Sequence, residues 1–147
     1  MSTFIRKETD YALRIAVYLA NKQERVKVSE ICQKLNLTKP VVIKVIQMLK
    51  RHGLVASKTG KYGGLSLAHP PEEISVYDVL VSMSADHSIN TCLEDASFCQ
   101  LQPICRISRF FCDIQRDFNA RLKSVKLAGL TFDDEQLEAL QRVKALS

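Results

Sequence analysis

The stretch Ser29-Glu30-Ile31-Cys32-Gln33-Lys34-Leu35-Asn36-Leu37-Thr38-Lys39-Pro40-Val41-Val42-Ile43-Lys44-Val45-Ile46-Gln47-Met48-Leu49-Lys50-Arg51-His52-Gly53 decides the fold class of this 147-residue chain. Ile31 and Leu35 lie one helical turn apart, so Ser29 is read as the cap of a short helix and Asn36-Leu37 as the turn that ends it. Thr38 is read as the cap of a longer helix with Pro40 in its first turn, where a missing N–H costs least. Val42, Val45, Ile46 and Leu49 then recur at helical spacing up to Gly53, with Lys50, Arg51 and His52 against the negative end of the helix dipole. Short helix, tight turn and longer helix make a helix-turn-helix, an arrangement whose second helix enters the major groove of DNA.

The flanking residues extend this unit in both directions. Upstream, Thr9 and Asp10 are candidate caps for Tyr11 to Ala20, a helix with Ala12, Ile15, Ala16 and Leu19 on one face. Downstream, Leu54 to Lys58 and Leu65 to Ala68 alternate as strands around the glycine-rich tip Thr59-Gly60-Lys61-Tyr62-Gly63-Gly64. This is a two-stranded wing beside the helix-turn-helix. Its tip lacks the spacing of a P-loop and no helix follows it directly, so a nucleotide-binding loop is excluded. Candidate DNA contacts on the longer helix are Thr38, Lys39, Pro40, Val41 and Lys44, with Val41 suited to a thymine methyl. On the wing they are Lys58, Thr59, Lys61, Tyr62 and Gly63, where glycine permits close backbone approach and lysine neutralises phosphate.

Charge supports a polyanionic partner for this half. Residues 1–71 hold 13 Lys or Arg against 4 Asp or Glu, a net of +9, and residues 72–147 hold 8 against 12, a net of −4. The asymmetry matters more than the overall +5, because it places the positive field on the winged helix.

Beyond Pro70-Pro71, Ser75-Val76-Tyr77-Asp78 reads as a capping box opening a helix through Met83. Next comes Thr91-Cys92-Leu93-Glu94-Asp95-Ala96-Ser97-Phe98-Cys99-Gln100-Leu101-Gln102-Pro103-Ile104-Cys105, in which six and five residues separate successive cysteines. Such spacing lets one loop fold three thiolates around a soft metal centre, zinc or iron, with a position left for another donor. The alternative is that they are buried as small hydrophobes. Cys32 and Cys112 are read that way. An odd count of five cysteines and no preceding secretory signal argue against a disulfide framework.

Ile104, Ile107, Phe111, Ile114, Phe118, Leu122 and Val125 then recur at steps of three and four over about six turns of one long helix. So long an apolar stripe exceeds what a small domain covers, which predicts pairing with a second copy through Ile107, Phe111, Ile114, Phe118, Leu122 and Val125. A final helix from Asp133 to Leu146 is expected to carry Leu137, Leu140 and Val143 inward, with Thr131 as cap. The expected architecture is mainly α with a small β-wing. It divides into a winged helix-turn-helix over residues 1–84, a cysteine loop over 85–105, and a dimerisation helix with a C-terminal helix over 103–147.

From about Phe4 to Phe132 the chain resembles the bacterial winged-helix regulators that carry an iron-sulfur cluster, the IscR, NsrR and RirA group. The resemblance rests on Thr9-Asp10-Tyr11-Ala12-Leu13-Arg14, Arg51-His52-Gly53-Leu54-Val55, the wing Gly60-Lys61-Tyr62-Gly63-Gly64-Leu65-Ser66-Leu67, Pro70-Pro71-Glu72-Glu73-Ile74-Ser75, and the three cysteines before the long helix. It implies a homodimeric transcription regulator, a repressor, with a cluster on Cys92, Cys99 and Cys105, 4Fe-4S favoured over 2Fe-2S and zinc as the minority alternative. Members similar to IscR have a histidine three residues after the last cysteine, where this chain has Ser108. Members similar to NsrR use an acidic residue at the start of the partner's first helix. The NsrR-like branch is therefore favoured, and it nominates Asp10 with Glu8 as the fallback, while His87, near the cysteine loop, is a minor ligand candidate.

The function expected from all this is a cytoplasmic DNA-binding regulator on a pseudo-palindromic operator, gated by a cluster that nitric oxide, redox state or iron supply alters. The same scaffold without a cluster would answer to a small metabolite or partner enzyme. A zinc-stabilised protein-interaction module is the alternative from another class. No nucleophile, base and orienting group assemble into an active site, and no apolar run approaches the roughly 20 residues of a membrane span.

Overall fold

The computed structural model describes residues 5–84, 88–95, 97 and 99–146. Helices α1 (Lys7–Ala20), α2 (Val28–Leu35) and α3 (Lys39–Arg51) lead into strands β1 (Val55–Lys58) and β2 (Gly64–Leu67), then helices α4 (Val76–Met83), α5 (Arg106–Ser124) and α6 (Asp134–Leu146). The architecture is mainly helical with one two-stranded wing, as the sequence predicts. Among the described residues no helix is long and apolar enough to cross a membrane.

The core forms where apolar faces of α1 and α3 meet. Ala12, Ile15, Ala16 and Leu19 are buried, as are Val42, Val45, Ile46 and Leu49 of α3 and Ile31 of α2. β1 and β2 pair antiparallel with Val55 opposite Leu67 and Lys58 opposite Gly64. Val26 adds one bridge to this ribbon, exchanging two 2.8 Å backbone hydrogen bonds with Leu65, so the tip-proximal end of β2 is fixed to the chain entering α2. Glycine is required there. A Cβ on Gly63 would lie 2.3 Å from the Lys58 carbonyl oxygen, and one on Gly64 would meet the Val26 carbonyl at 2.9 Å.

Several predicted helix ends move. α1 begins at Lys7, with Arg6 at its N-cap, so Thr9 and Asp10 lie within its first turn and neither caps it. Thr9 is buried inside the first turn, and Asp10 pairs with Arg14 at 2.7 Å. α2 starts at Val28 behind Lys27, which removes Ser29 from the cap, whereas Asn36 ends it in the left-handed conformation expected of that turn. Thr38 occupies the N-cap of α3 without a side-chain cap bond. The capping box holds: the Asp78 N–H donates to Ser75 Oγ at 3.2 Å and the Ser75 N–H to Asp78 Oδ2 at 2.8 Å.

The C-terminal part returns to this core. Val76 N–H donates to the Val125 carbonyl and Leu127 N–H to the Ile74 carbonyl, each at 2.9 Å, and Leu127 is fully buried. α6 then lies along α2. Lys22 bonds Asp134, Lys34 pairs with Glu138 at 3.3 Å, and the Gln141 amide donates to the carbonyls of Gln33 and Lys34 at 3.3 Å. Asp133, not Thr131, starts α6, with Oδ1 accepting from Gln136 N–H at 2.7 Å while Gln136 Oε1 accepts from Asp133 N–H. Leu137 packs against the core, but Leu140 and Val143 remain exposed, lining with Leu35 and Phe132 a cavity of about 1010 Å³ between α6 and α2 that no side chain of the described residues fills.

Tyr18 joins α1 to this arrangement. Its hydroxyl donates to Glu30 Oε1 at 2.6 Å, with Lys22 Nζ 3.8 Å from the same carboxylate oxygen and 4.9 Å from the ring. Burial, then the bond to Glu30 and the charges of Glu30 and Asp134, raise the Tyr18 pKa well above its ordinary value. A folded-state pKa raised above the unfolded value makes this contribution complete below about pH 10 and lost as pH rises toward the folded pKa. Wild-type melting temperature is therefore expected to fall on going from about pH 9 to about pH 11, and the fall should be shallower in Tyr18→Phe.

Candidate nucleic-acid interface and thiol loop

Burial of Val42, Val45, Ile46 and Leu49 fixes which side of α3 faces solvent. Thr38, Lys39, Pro40, Ile43, Lys44, Gln47, Lys50 and Arg51 are exposed, while Val41 is half-buried at the edge. Lys44 lies 3.8 Å from Glu8 of α1, and Lys50 donates to Ser57 Oγ at 2.5 Å, tying the end of α3 to β1. The wing presents Lys58, Thr59, Lys61 and Tyr62 to solvent with Gly63 half-buried beneath them. Tyr62 is 83% exposed, its ring 5.8 Å from Lys61 Nζ. An aromatic so exposed beside a lysine is chemically suited to a groove edge and its phosphates. Ile43, Gln47, Lys50 and Arg51 were not among the predicted contacts. The signal was available: they are the positions of α3 left over once the buried column is assigned.

The three cysteines of the central segment are all free and half-exposed. Cys92 lies in a 3-10 turn, Thr91–Leu93, Cys99 in the following loop, and Cys105 after a second such turn, Gln102–Ile104. Cys105 is the N-cap of α5, where its Sγ accepts the Ser108 N–H at 3.5 Å. The loop is held to α5 and to itself by polar bonds. Ile89 N–H donates to Gln115 Oε1 at 2.8 Å, and Gln102 Nε2 to the Cys92 carbonyl at 2.9 Å. The donors suit a soft metal in chemistry but are not gathered. Among the described residues no group of three or more His, Cys, Asp or Glu side chains could hold a metal ion. His87 lies outside the described residues.

Cys32 packs partly buried against the core as expected, but Cys112 is exposed. It lines a cavity of about 520 Å³ with Leu93, Gln115 and Asn119, on the side of α5 that faces the thiol loop. α5 itself starts at Arg106, so Ile104 precedes it and Val125 follows its end. Only Ser108 is buried along its length. Ile107 is 65% and Ile114 42% exposed, while Phe111, Phe118, Leu122 and Val125 are half-buried. The predicted apolar stripe is present and open.

A family model for Rrf2, described as an iron-dependent transcriptional regulator, matches residues 5–133. Among solved structures, CymR (YrzC), the global cysteine regulator of B. subtilis, is similar with a TM-score of 0.67 at 25% identity, covering 90% of this chain and 100% of its own. IscR of T. potens gives 0.70 at 20% identity over 86% and 84% of the two chains. The oxidized form of CymR from Staphylococcus aureus gives 0.67 at 23% identity over 91% and 99%.

Proposed function

Because this chain belongs to the Rrf2 family of transcriptional regulators, we propose that it acts as a homodimeric repressor whose affinity for a pseudo-palindromic operator is set by an iron-sulfur cluster. The observation that carries this reading is the union, in one matched segment, of a cationic recognition helix and wing with three free thiols that lead directly into an open apolar helix. The α5 stripe supports the homodimer, since apolar side chains left at such exposure by one chain are covered by a second. Two winged helices held by that seam then meet successive major grooves on one face of the duplex.

Cys92, Cys99 and Cys105 are the proposed protein donors, and a cluster on them supplies a redox- and nitric-oxide-sensitive tie. Bringing three thiolates onto one centre requires residues 88–105 to repack against α5. Asp10 of the partner subunit is the proposed fourth donor, in the NsrR-like manner. It must then leave Arg14. Either change couples cluster occupancy to the spacing of the recognition helices, which is how a local bond alters DNA affinity.

The similarity to CymR and the ungathered thiols favour a second reading, a cluster-free regulator on the same scaffold that responds to a small metabolite. The spectrum of anaerobically purified protein separates the two. Thiolate-to-iron absorption with stoichiometric iron and sulfide supports the cluster, and a colourless, iron-free protein with full operator affinity sinks it. DNA binding has its own test. Affinity should fall steeply with salt, and Lys61→Ala should reduce the slope of log affinity against log salt by about one without altering site preference. A salt-independent affinity would remove the wing from the interface.

A further inference from the structure

We propose that Ile43 and Gln47 read a thymine and an adjacent adenine in the major groove, so that the operator half-site carries an A·T step facing the middle of α3. This deepens the DNA-binding reading above and rests on it. Ile43 is 38% exposed in the centre of a helix face whose other exposed residues, beyond Pro40 at the first turn, are lysines, an arginine and polar groups. A β-branched apolar side chain held there gains nothing from water, and the one apolar group that a major-groove floor offers is the thymine methyl. Val41, the other candidate for that contact, is half-buried at the edge of the helix.

The column Lys39, Ile43, Gln47 runs along the exposed side at steps of four residues. Each step rises about 6 Å along the helix, comparable with about two base-pair rises, so the three side chains address neighbouring positions and not the same one. Gln47 carries the paired donor and acceptor that match adenine N6 and N7. Lys39, at the first turn, supplies charge for a guanine edge or a phosphate. Chemistry along the column therefore passes from cationic to apolar to amide.

The test starts from duplexes selected by the wild-type dimer out of a randomised double-stranded DNA pool. Each thymine of the selected half-site is then replaced by uracil, symmetrically, which deletes the C5 methyl and keeps every hydrogen-bonding group. One position should weaken wild type by about fourfold per half-site and leave Ile43→Ala unaffected, with Ile43→Val intermediate. Gln47→Ala should lose about tenfold of the preference for adenine at the neighbouring position. Melting temperatures of the variants are measured alongside, and Ile43→Val keeps the test open should Ile43→Ala fold poorly. Uracil effects that are absent, or equal in wild type and Ile43→Ala, overturn the proposal while leaving DNA binding intact. A pool from which nothing is enriched overturns both.

Discussion

Alanine at any one of Cys92, Cys99 or Cys105 is expected to abolish stable retention of iron and sulfide in anaerobically purified protein. Removing one thiolate leaves two with the proposed Asp10 carboxylate, a donor set too weak to retain a cluster that thiolates anchor. All three cysteines are free and half-exposed, and none belongs to the buried core, so the fold should survive each change. Melting temperature is accordingly expected to change little in the apo variants. Cys32→Ala and Cys112→Ala serve as the contrast. Cys32 packs against the core and Cys112 faces the α5 cavity, and neither variant should lose iron. Full iron and sulfide in Cys92→Ala would show that the donor assignment is wrong.

The second large effect is expected at Ile114. It lies mid-way along α5, 42% exposed in one chain, with Ile107 and Phe111 before it and Phe118 after it on the stripe. Ile114→Asp places an unpaired carboxylate in a seam that the dimer model keeps dry, and an uncompensated buried charge costs several kcal/mol. Since about 1.4 kcal/mol is tenfold in an equilibrium, association should weaken by about a hundredfold or more. Sedimentation would then show monomer at micromolar protein, with operator affinity lost in parallel. An unperturbed dimer would move the interface off α5.

The helix-turn-helix was legible in the sequence because its determinants are local. Val42, Val45, Ile46 and Leu49 can share one face only as a helix, and Pro40 and Gly53 bound it within a residue or two. The wing was equally plain, since its turn needs glycine at positions where a Cβ would strike backbone. Helix starts were read less well. Thr9, Asp10 and Ser29 have the chemistry of caps, but a cap contributes about 1 kcal/mol, which packing of a further turn against the core outweighs. Leu140 and Val143 share the face of Leu137 as expected but stay exposed, because periodicity says which residues share a face and not whether that face is covered. α6 is instead docked by Lys22–Asp134 and Lys34–Glu138, ion pairs between residues more than a hundred positions apart. Exposure of Cys112 is a similar case: it lies one residue off the stripe of α5, and the cavity beside it depends on where the thiol loop packs. Thiol spacing likewise identifies Cys92, Cys99 and Cys105 as possible donors without fixing where the loop puts them.

Operator affinity of one anaerobic sample, measured with its iron intact and again after chelation, tests the central claim most directly. The selected duplex serves for both measurements, and sedimentation confirms the dimer in each state. Coupling of the usual size between two sites predicts that the affinities differ by about fivefold or more. Equal affinities in the iron-loaded and iron-free dimer would contradict cluster control.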